Sequence, residues 1–220
     1  MRVSAVLCDI EGTTTSLSFV HDVLFPLSSD EMGKFVETNW NTAEIQTLRS
    51  KISPFTPENV TATLRNWIQS DFKFTELKAI QGKIWKQAYE TGAIRSHVYP
   101  GVSHSFRAWK GAGKKIAIFS SGSVQAQKLL FRYSEAGDLT LFIDEYFDTT
   151  TGPKKDPASY RVIANKLGLD PAEVLFLSDT VAELDAARES RMQTTQLIRD
   201  DAASTTHPVA HSFADLRTDA

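Results

Sequence analysis

Val3-Ser4-Ala5-Val6-Leu7-Cys8-Asp9-Ile10-Glu11-Gly12-Thr13-Thr14-Thr15 is the stretch on which the reading of this chain turns. Its first six residues form a near-continuous apolar run, as a strand covered on both faces requires. Two acids, Asp9 and Glu11, follow where the strand gives way to a loop. In an open α/β sheet, ligands bind at the carboxyl ends of the strands, so paired acids at that point suggest chemistry. Gly12 lets the backbone approach a ligand closely. Thr13, Thr14 and Thr15 offer hydroxyls and N–H groups to an anion.

Four further apolar runs predict strands, at 115–119, 146–148, 174–177 and 194–198. Helical patterns separate them. Val102, Phe106 and Trp109 share a face, as do Ala126, Leu129, Leu130 and Tyr133, and Tyr160, Ile163, Ala164 and Leu167. Gly168 is placed to end the last of these helices. Strand and helix in alternation give an α/β class with a parallel, Rossmann-like sheet. Residues 16–94 break the rhythm. Val60, Leu64, Trp67 and Ile68 fit one amphipathic helix and Leu77, Ile80, Ile84 and Trp85 another, with Pro54 and Pro57 dividing the helical pieces. The expectation is a core of residues 1–15 and 95–220, interrupted by an all-helical cap at 16–94. From Asp200 on the chain is polar, apart from a short run at 209–213.

The 220 residues carry 24 basic and 27 acidic side chains, a formal charge of −3. No strongly basic face results, which argues against nucleic acid as a partner. An anionic substrate must then be held by local groups or a metal. No run reaches the ~20 apolar residues of a membrane span. Cys8 is the one cysteine, and the apolar run before Asp9 is short for a signal peptide. A cytoplasmic protein without a membrane partner is expected.

Four motifs fall at or just after strand ends: Asp9-x-Glu11, Ser120-Ser121-Gly122-Ser123, Lys154 with Lys155, and Asp179 with Glu183 and Asp185 nearby. In a parallel sheet these ends share one rim. The inventory suits phosphoryl transfer, which needs a nucleophile, a metal, donors to phosphate oxygens and a proton shuttle. Asp9 is the candidate nucleophile, able to form an aspartyl phosphate. Asp9 and Asp179 are candidate ligands for Mg²⁺, a hard ion that prefers oxygen. Ser120 or Ser121, with the N–H of Gly122, would bind phosphoryl oxygens, and Lys154 would balance charge. Glu11 is the candidate shuttle, best served by a pKa near 6–7, about two units above the reference value. Direct metal ligation would lower it, so its carboxylate is expected to point away from Mg²⁺, with its carbonyl as the possible ligand.

Each motif also has a plainer reading. Ser120 or Ser121 could cap the helix beginning near Val124, and capping and phosphate binding can share a helix terminus. Lys155 is the alternative to Lys154. Glu183 and Asp185 suit the first turn of a helix after Asp179, with a supporting metal role still open. Cys8 reads as a buried strand residue. The five histidines lack metal-ligand spacing, although His21 lies beside Asp22 at the entry to the helical segment. Trp67 and Trp85 lie on apolar helix faces. Phe19, Phe25 and Trp40 suit either the core of the cap or a substrate pocket.

The four motifs, in this order, resemble the haloacid dehalogenase superfamily of aspartyl phosphatases. Most members carry Asp-x-Asp in the first motif, whereas this chain has Asp9-x-Glu11. With Gly12-Thr13-Thr14-Thr15 and Val23-Leu24-Phe25-Pro26, that departure resembles the enolase-phosphatase family of methionine salvage. So do Ser120-Ser121-Gly122-Ser123-Val124, Ala126-Gln127-Lys128-Leu129-Leu130-Phe131, Phe147-Asp148-Thr149, Ser159-Tyr160 and Phe176-Leu177-Ser178-Asp179. The resemblance covers nearly the whole chain. It implies enolisation of 2,3-diketo-5-methylthiopentyl-1-phosphate and removal of its phosphate, giving the acireductone 1,2-dihydroxy-3-keto-5-methylthiopentene. It implies one Mg²⁺ per chain, a helical cap and a monomer. By position it puts metal residues at Asp9, Glu11 and Asp179, and substrate contacts at Ser120, Ser121 and Lys154.

The chain departs from the family pattern at Gly101, where Asp is expected, and at Arg191, where Gly is expected. Two rival functions stand beside the family reading. One is another phosphatase of the superfamily, acting on a sugar or glycolate phosphate, against which Glu11 argues. The other is an idle phosphate-binding module, against which the set Asp9, Glu11, Lys154 and Asp179 argues.

Overall fold

The computed structural model describes residues 2–72, 74–199, 206–216 and 218; the polar stretch at 200–205 lies outside them. The chain divides into two compact units, Met1–Leu17 with Ser96–Ala220, and Ser18–Arg95. β1 (Ala5–Cys8) opens the first. The second follows as a π-helical segment at Phe19–Leu24, then α1 (Phe25–Thr38), α2 (Ala43–Gln46), α3 (Pro57–Gln69) and α4 (Thr75–Glu90). The first unit resumes with α5 (Val102–Gly111), β2 (Lys115–Phe119), α6 (Val124–Arg132), β3 (Glu145–Phe147) and α7 (Pro157–Leu167). It closes with β4 (Val174–Ser178), α8 (Val181–Glu189), β5 (Gln193–Leu197) and β6 (Val209–Ala210).

The sheet is parallel throughout, in the order β3-β2-β1-β4-β5-β6. β1 is therefore central, and the strand order reverses between β1 and β4, the kind of place where α/β sheets bind ligands. Register levels the strand ends. Cys8 pairs with Ile118 on one side and Leu177 on the other. The Asp9 N–H donates to the Leu177 carbonyl at 2.9 Å, and the Ser120 N–H to the Phe147 carbonyl at 3.1 Å. Asp9, Ser120 and Asp179 thus leave the sheet along one rim.

Alternation along the strands fills two cores. Val6, Cys8, Ile116, Ile118, Leu175 and Leu177 meet Val102, Phe106 and Trp109 of α5 and Phe131 of α6 on one face. Ala5, Leu7, Ala117, Phe119 and Phe176 meet Tyr160, Ile163 and Leu167 of α7 and Leu184 of α8 on the other. Burying one such Leu or Phe side chain stabilises by roughly 1.5–3 kcal/mol, which is why short strands suffice here. Gly168 ends α7 in the left-handed conformation at φ 70°, as its position predicts.

The expected strands are present, with small shifts. β3 begins one residue before the expected run and ends at Phe147; β5 likewise starts and ends one residue earlier. β6 was not expected as a strand: two residues carry no readable period, and it forms only because Gln196 and Ile198 offer their N–H groups to Pro208 and Ala210. The apolar face of α6 is also turned from the expected one, since Gln127 is buried with Leu129 and Leu130.

In the second unit α1, α3 and α4 enclose Met32, Val36, Val60, Leu64, Ile68, Leu77, Ile80 and Ile84. Thr56 caps α3 by accepting the Asn59 N–H, with Pro57 in its first turn. Trp85 donates its indole N–H toward Leu24 O at 3.0 Å and Ser28 Oγ at 2.7 Å, tying α4 to α1. Trp40 stacks on Phe55 with centroids 4.9 Å apart, and Phe25 packs against the same cluster. These aromatics serve this unit's core. His21 is exposed and meets Phe25 edge-on at 5.2 Å. Among the described residues no helix is long and apolar enough to cross a membrane.

Candidate active site

Asp9 ends the central strand and is 5% exposed. Its Oδ1 accepts the Ile10 N–H at 2.7 Å and lies 2.6 Å from the Lys154 ammonium. Its Oδ2 lies 3.0 Å from the Ser178 hydroxyl. The same ammonium stands 2.6 Å from Glu183 Oε2, and that oxygen is 3.3 Å from Ser178 Oγ. Four side chains from three parts of the chain therefore share one buried network. Ser178 has a single hydroxyl proton and can serve only one of its two carboxylates at a time.

The loop after β3 is built to deliver Lys154. Asp148 folds its start by accepting the Thr150 N–H at 2.9 Å and the Thr150 hydroxyl at 2.6 Å. Gly152 adopts φ 143°, and a Cβ there would lie 2.3 Å from Ser159 Oγ, so glycine alone fits. From α7, Ser159 donates to the Pro153 carbonyl at 2.8 Å and Tyr160 to the Lys154 carbonyl at 2.6 Å. Lys155 is exposed, which leaves Lys154 as the lysine of the site.

Asp179 follows β4. Its N–H donates to Thr13 Oγ1 at 3.0 Å, and its carboxylate accepts from the Thr180 hydroxyl at 3.0 Å. Gly12, at φ 72°, passes so close that a Cβ would lie 2.1 Å from Asp179 Oδ2. The threonines after Gly12 are fully buried and turned to internal use. Thr14 reaches the carbonyls of Asp9 and Ile10, and Thr15 donates to the His97 carbonyl at 2.6 Å. The expected anion contact through their hydroxyls is thus corrected: they brace the loop. Arg199 adds a brace, donating to the Thr13 carbonyl at 2.5 Å with its guanidinium 3.9 Å from the Tyr99 ring centre. Glu11 is half-buried on this loop, within a short bridge to Thr15.

Ser120 is buried and its Oγ accepts the Gly122 N–H at 3.1 Å, which leaves the hydroxyl proton to be donated elsewhere. Ser121 is exposed. Neither caps α6: that cap is Ser123, which accepts the Ala126 N–H at 3.2 Å.

Electrostatics follow from burial and crowding. Burial opposes the charge on Lys154, but Asp9 and Glu183 outweigh it and hold the ammonium above the ordinary lysine range. Burial, then the Asp9 charge, pushes Glu183 up to about 7 against the pull of Lys154. The same two causes, in the same order, raise Asp179. Burial raises the Cys8 thiol, so it stays inert in its strand.

Of the expected site residues, Asp9 and Lys154 meet directly, Asp179 and Glu11 flank them on adjoining loops, and Ser120 with Gly122 forms a separate turn at the same rim. Glu183 was expected only as a first-turn acid with a supporting role open. The signal available was its place in the first turn of α8, the helix that starts just beyond Asp179, on the face that also buries Leu184 and Ala187. Among the described residues no three His, Cys, Asp or Glu side chains converge as a ready metal cluster. The donors nevertheless suit a small hard cation. They are all oxygen, two are carboxylates, and the Asp9 charge disfavours ionisation of Asp179 until something positive relieves it.

Residues 3–191 match the family model described as a haloacid dehalogenase-like hydrolase, the class that this sheet and this rim define. Two similar proteins are both named enolase-phosphatase E1. That of Sorangium cellulosum is 47% identical, with 96% of each chain covered. That of Pseudomonas aeruginosa (strain LESB58) is 46% identical, covering 98% of this chain and 99% of its own. The crystal structure of the UTR4 protein of Saccharomyces cerevisiae superposes with a TM-score of 0.84 at 32% identity, over 98% of this chain and 100% of that one. The chain belongs to the enolase-phosphatase family of the haloacid dehalogenase-like hydrolases.

Proposed function

We propose that the protein is a Mg²⁺-dependent enolase-phosphatase that converts 2,3-diketo-5-methylthiopentyl-1-phosphate to an acireductone and phosphate, and that it works in the cytoplasm as a monomer. The observation that carries this reading is Asp9 at the end of the central strand, 2.6 Å from Lys154, with Glu11 two residues on. The relatives' shared name, enolase-phosphatase E1, supports the pairing of an enolase and a phosphatase activity.

In this reading Asp9 attacks phosphorus, forming an Oδ–P bond as the bond to the enol oxygen breaks. Lys154, kept charged by two carboxylates, draws the phosphoryl oxygens toward Asp9. Ser120 donates its hydroxyl proton to the same group, with the N–H of Ser121 alongside; the Gly122 N–H, expected as a phosphate donor, instead holds Ser120 Oγ at 3.1 Å. Glu11 protonates the departing oxygen, then takes a proton from the water that cleaves the aspartyl phosphate. Asp9, Asp179 and the Glu11 carbonyl would hold one Mg²⁺, which when bound offsets the local negative charge and acts as a Lewis acid. Glu183 holds Lys154 in place from the far side. The helical unit Ser18–Arg95 would act as the cap that excludes water from the enolising substrate.

The test follows enediol absorbance and phosphate together, with the diketo phosphate and Mg²⁺. Both signals are expected. Phosphate without an enol signal would favour a generic phosphatase, and neither signal would leave an idle module.

A further inference from the structure

We infer that Gln127 is a positioning residue: its side-chain amide clamps the Ser120–Gly122 turn into the shape that receives a phosphoryl group. The inference rests on the phosphatase reading of that turn. Gln127 lies in α6 yet is 1% exposed, an unusual place for an uncapped amide on a helix that otherwise buries Leu129, Leu130 and Phe131. Its Nε2 donates to the Gly122 carbonyl at 2.8 Å and to the Phe147 carbonyl at 2.8 Å. The Phe147 carbonyl is the one that also accepts the Ser120 N–H at 3.1 Å. One amide therefore joins the end of β3 to both ends of the turn. With Gly122 O pinned, the Gly122 N–H stays on Ser120 Oγ, and the Ser120 proton is left for an incoming oxygen.

The other half of the amide shows what it is there for. Gln127 Oε1 is buried without a hydrogen-bond partner among the described residues. A buried, unpaired carbonyl is costly, and an apolar side chain of the same length would avoid it. The residue is therefore suited to this position by its two N–H bonds. The same arrangement recurs on the other side of the site. Gln196 donates Nε2 to the Asp179 carbonyl at 2.8 Å, and its Oε1 is likewise buried and unpartnered.

The test compares the wild type with Gln127→Met, which keeps volume, and Gln127→Glu, which turns a carboxylate oxygen toward two carbonyls. The readouts are the inhibition constant of inorganic phosphate, kcat and KM separately, the melting temperature, and hydrogen exchange of the peptide spanning 120–124. Gln127→Met should weaken phosphate binding about tenfold, the scale of one lost hydrogen bond, with KM raised and exchange of 120–124 faster. Gln127→Glu should do the same more strongly, and it serves alone if the Met variant does not fold. A lowered melting temperature with unchanged phosphate inhibition would overturn the assignment and leave Gln127 a packing residue. If the wild type neither hydrolyses nor binds phosphate, the phosphatase reading fails by itself. Faster exchange at 120–124 in the variant then still supports the clamp, and unchanged exchange overturns it.

Discussion

Lys154 Nζ lies 2.6 Å from Asp9 Oδ1, and the pair is buried, with side chains 11% and 7% exposed. Glu183 completes the contact from the other side at 2.6 Å. Removing the cation leaves two carboxylates facing each other out of water. Lys154→Met should therefore lose activity by roughly 10²–10³-fold, the cost of one charge-stabilising donor. It should also lose about 3–5 kcal/mol of stability near pH 8, the usual penalty for an orphaned buried charge. Lys155→Met should change neither. Equal effects of the two substitutions in activity assays and urea titrations would contradict the assignment.

Glu183 gives the metal-free protein a pH dependence of definite sign. Its folded pKa of about 7 lies above the free value of 4.5. Its contribution is then complete below pH 4.5 and lost as pH rises through 7, because the folded state binds the extra proton. The loss amounts to at most ~3 kcal/mol. Asp179, raised from 3.8 by burial and the Asp9 charge, acts with the same sign. Lys154, raised above 10.5, keeps its contribution throughout this range and loses it only beyond. In chelator, urea midpoints should fall from about pH 5 to about pH 8, and Glu183→Gln should flatten that fall. A Gln variant with the wild-type slope would show that another group is responsible.

Gly12→Ala should be among the most damaging small substitutions. The left-handed backbone at φ 72° costs a side chain roughly 1–2 kcal/mol. The new Cβ must also displace the Asp179 carboxylate, which it would meet at 2.1 Å. Loss of activity should come with weakened Mg²⁺ binding, read by isothermal titration; metal affinity equal to the wild type would contradict this placement of Asp179.

Arg191 departs from the family's expected glycine, and the structure explains the preference it violates. Its φ is 77°, a left-handed conformation at the end of α8. Its ion pair with Asp170 at 3.3 Å is too exposed to repay that strain. Arg191→Gly should raise stability by about 1 kcal/mol, or ~2–4 °C in melting temperature, with activity unchanged. A lower melting temperature would show that the ion pair matters more than the backbone.

The strand ends carrying Asp9, Ser120 and Asp179 were readable because buried parallel strands are nearly pure apolar runs, and the first polar residue marks the rim. β6 was not readable, since two residues carry no period and its pairing depends on where β5 happens to end. Lys154 could be preferred over Lys155 but not established, because the choice is made by Tyr160 and Ser159 gripping the loop from α7. Glu183 looked like an ordinary first-turn acid. Only the tertiary approach of Lys154 draws it into the site. The cap of α6 fell to Ser123 among three nearby serines because it alone directly precedes the helix.

Asp9→Asn tests the covalent role most directly. Asparagine keeps the size and can still meet Ser178, but it is a poor nucleophile. The variant should keep its fold, as judged by circular dichroism, and release phosphate from the diketo phosphate with Mg²⁺ at no detectable rate. Substantial phosphate release by the folded variant would contradict nucleophilic attack by Asp9.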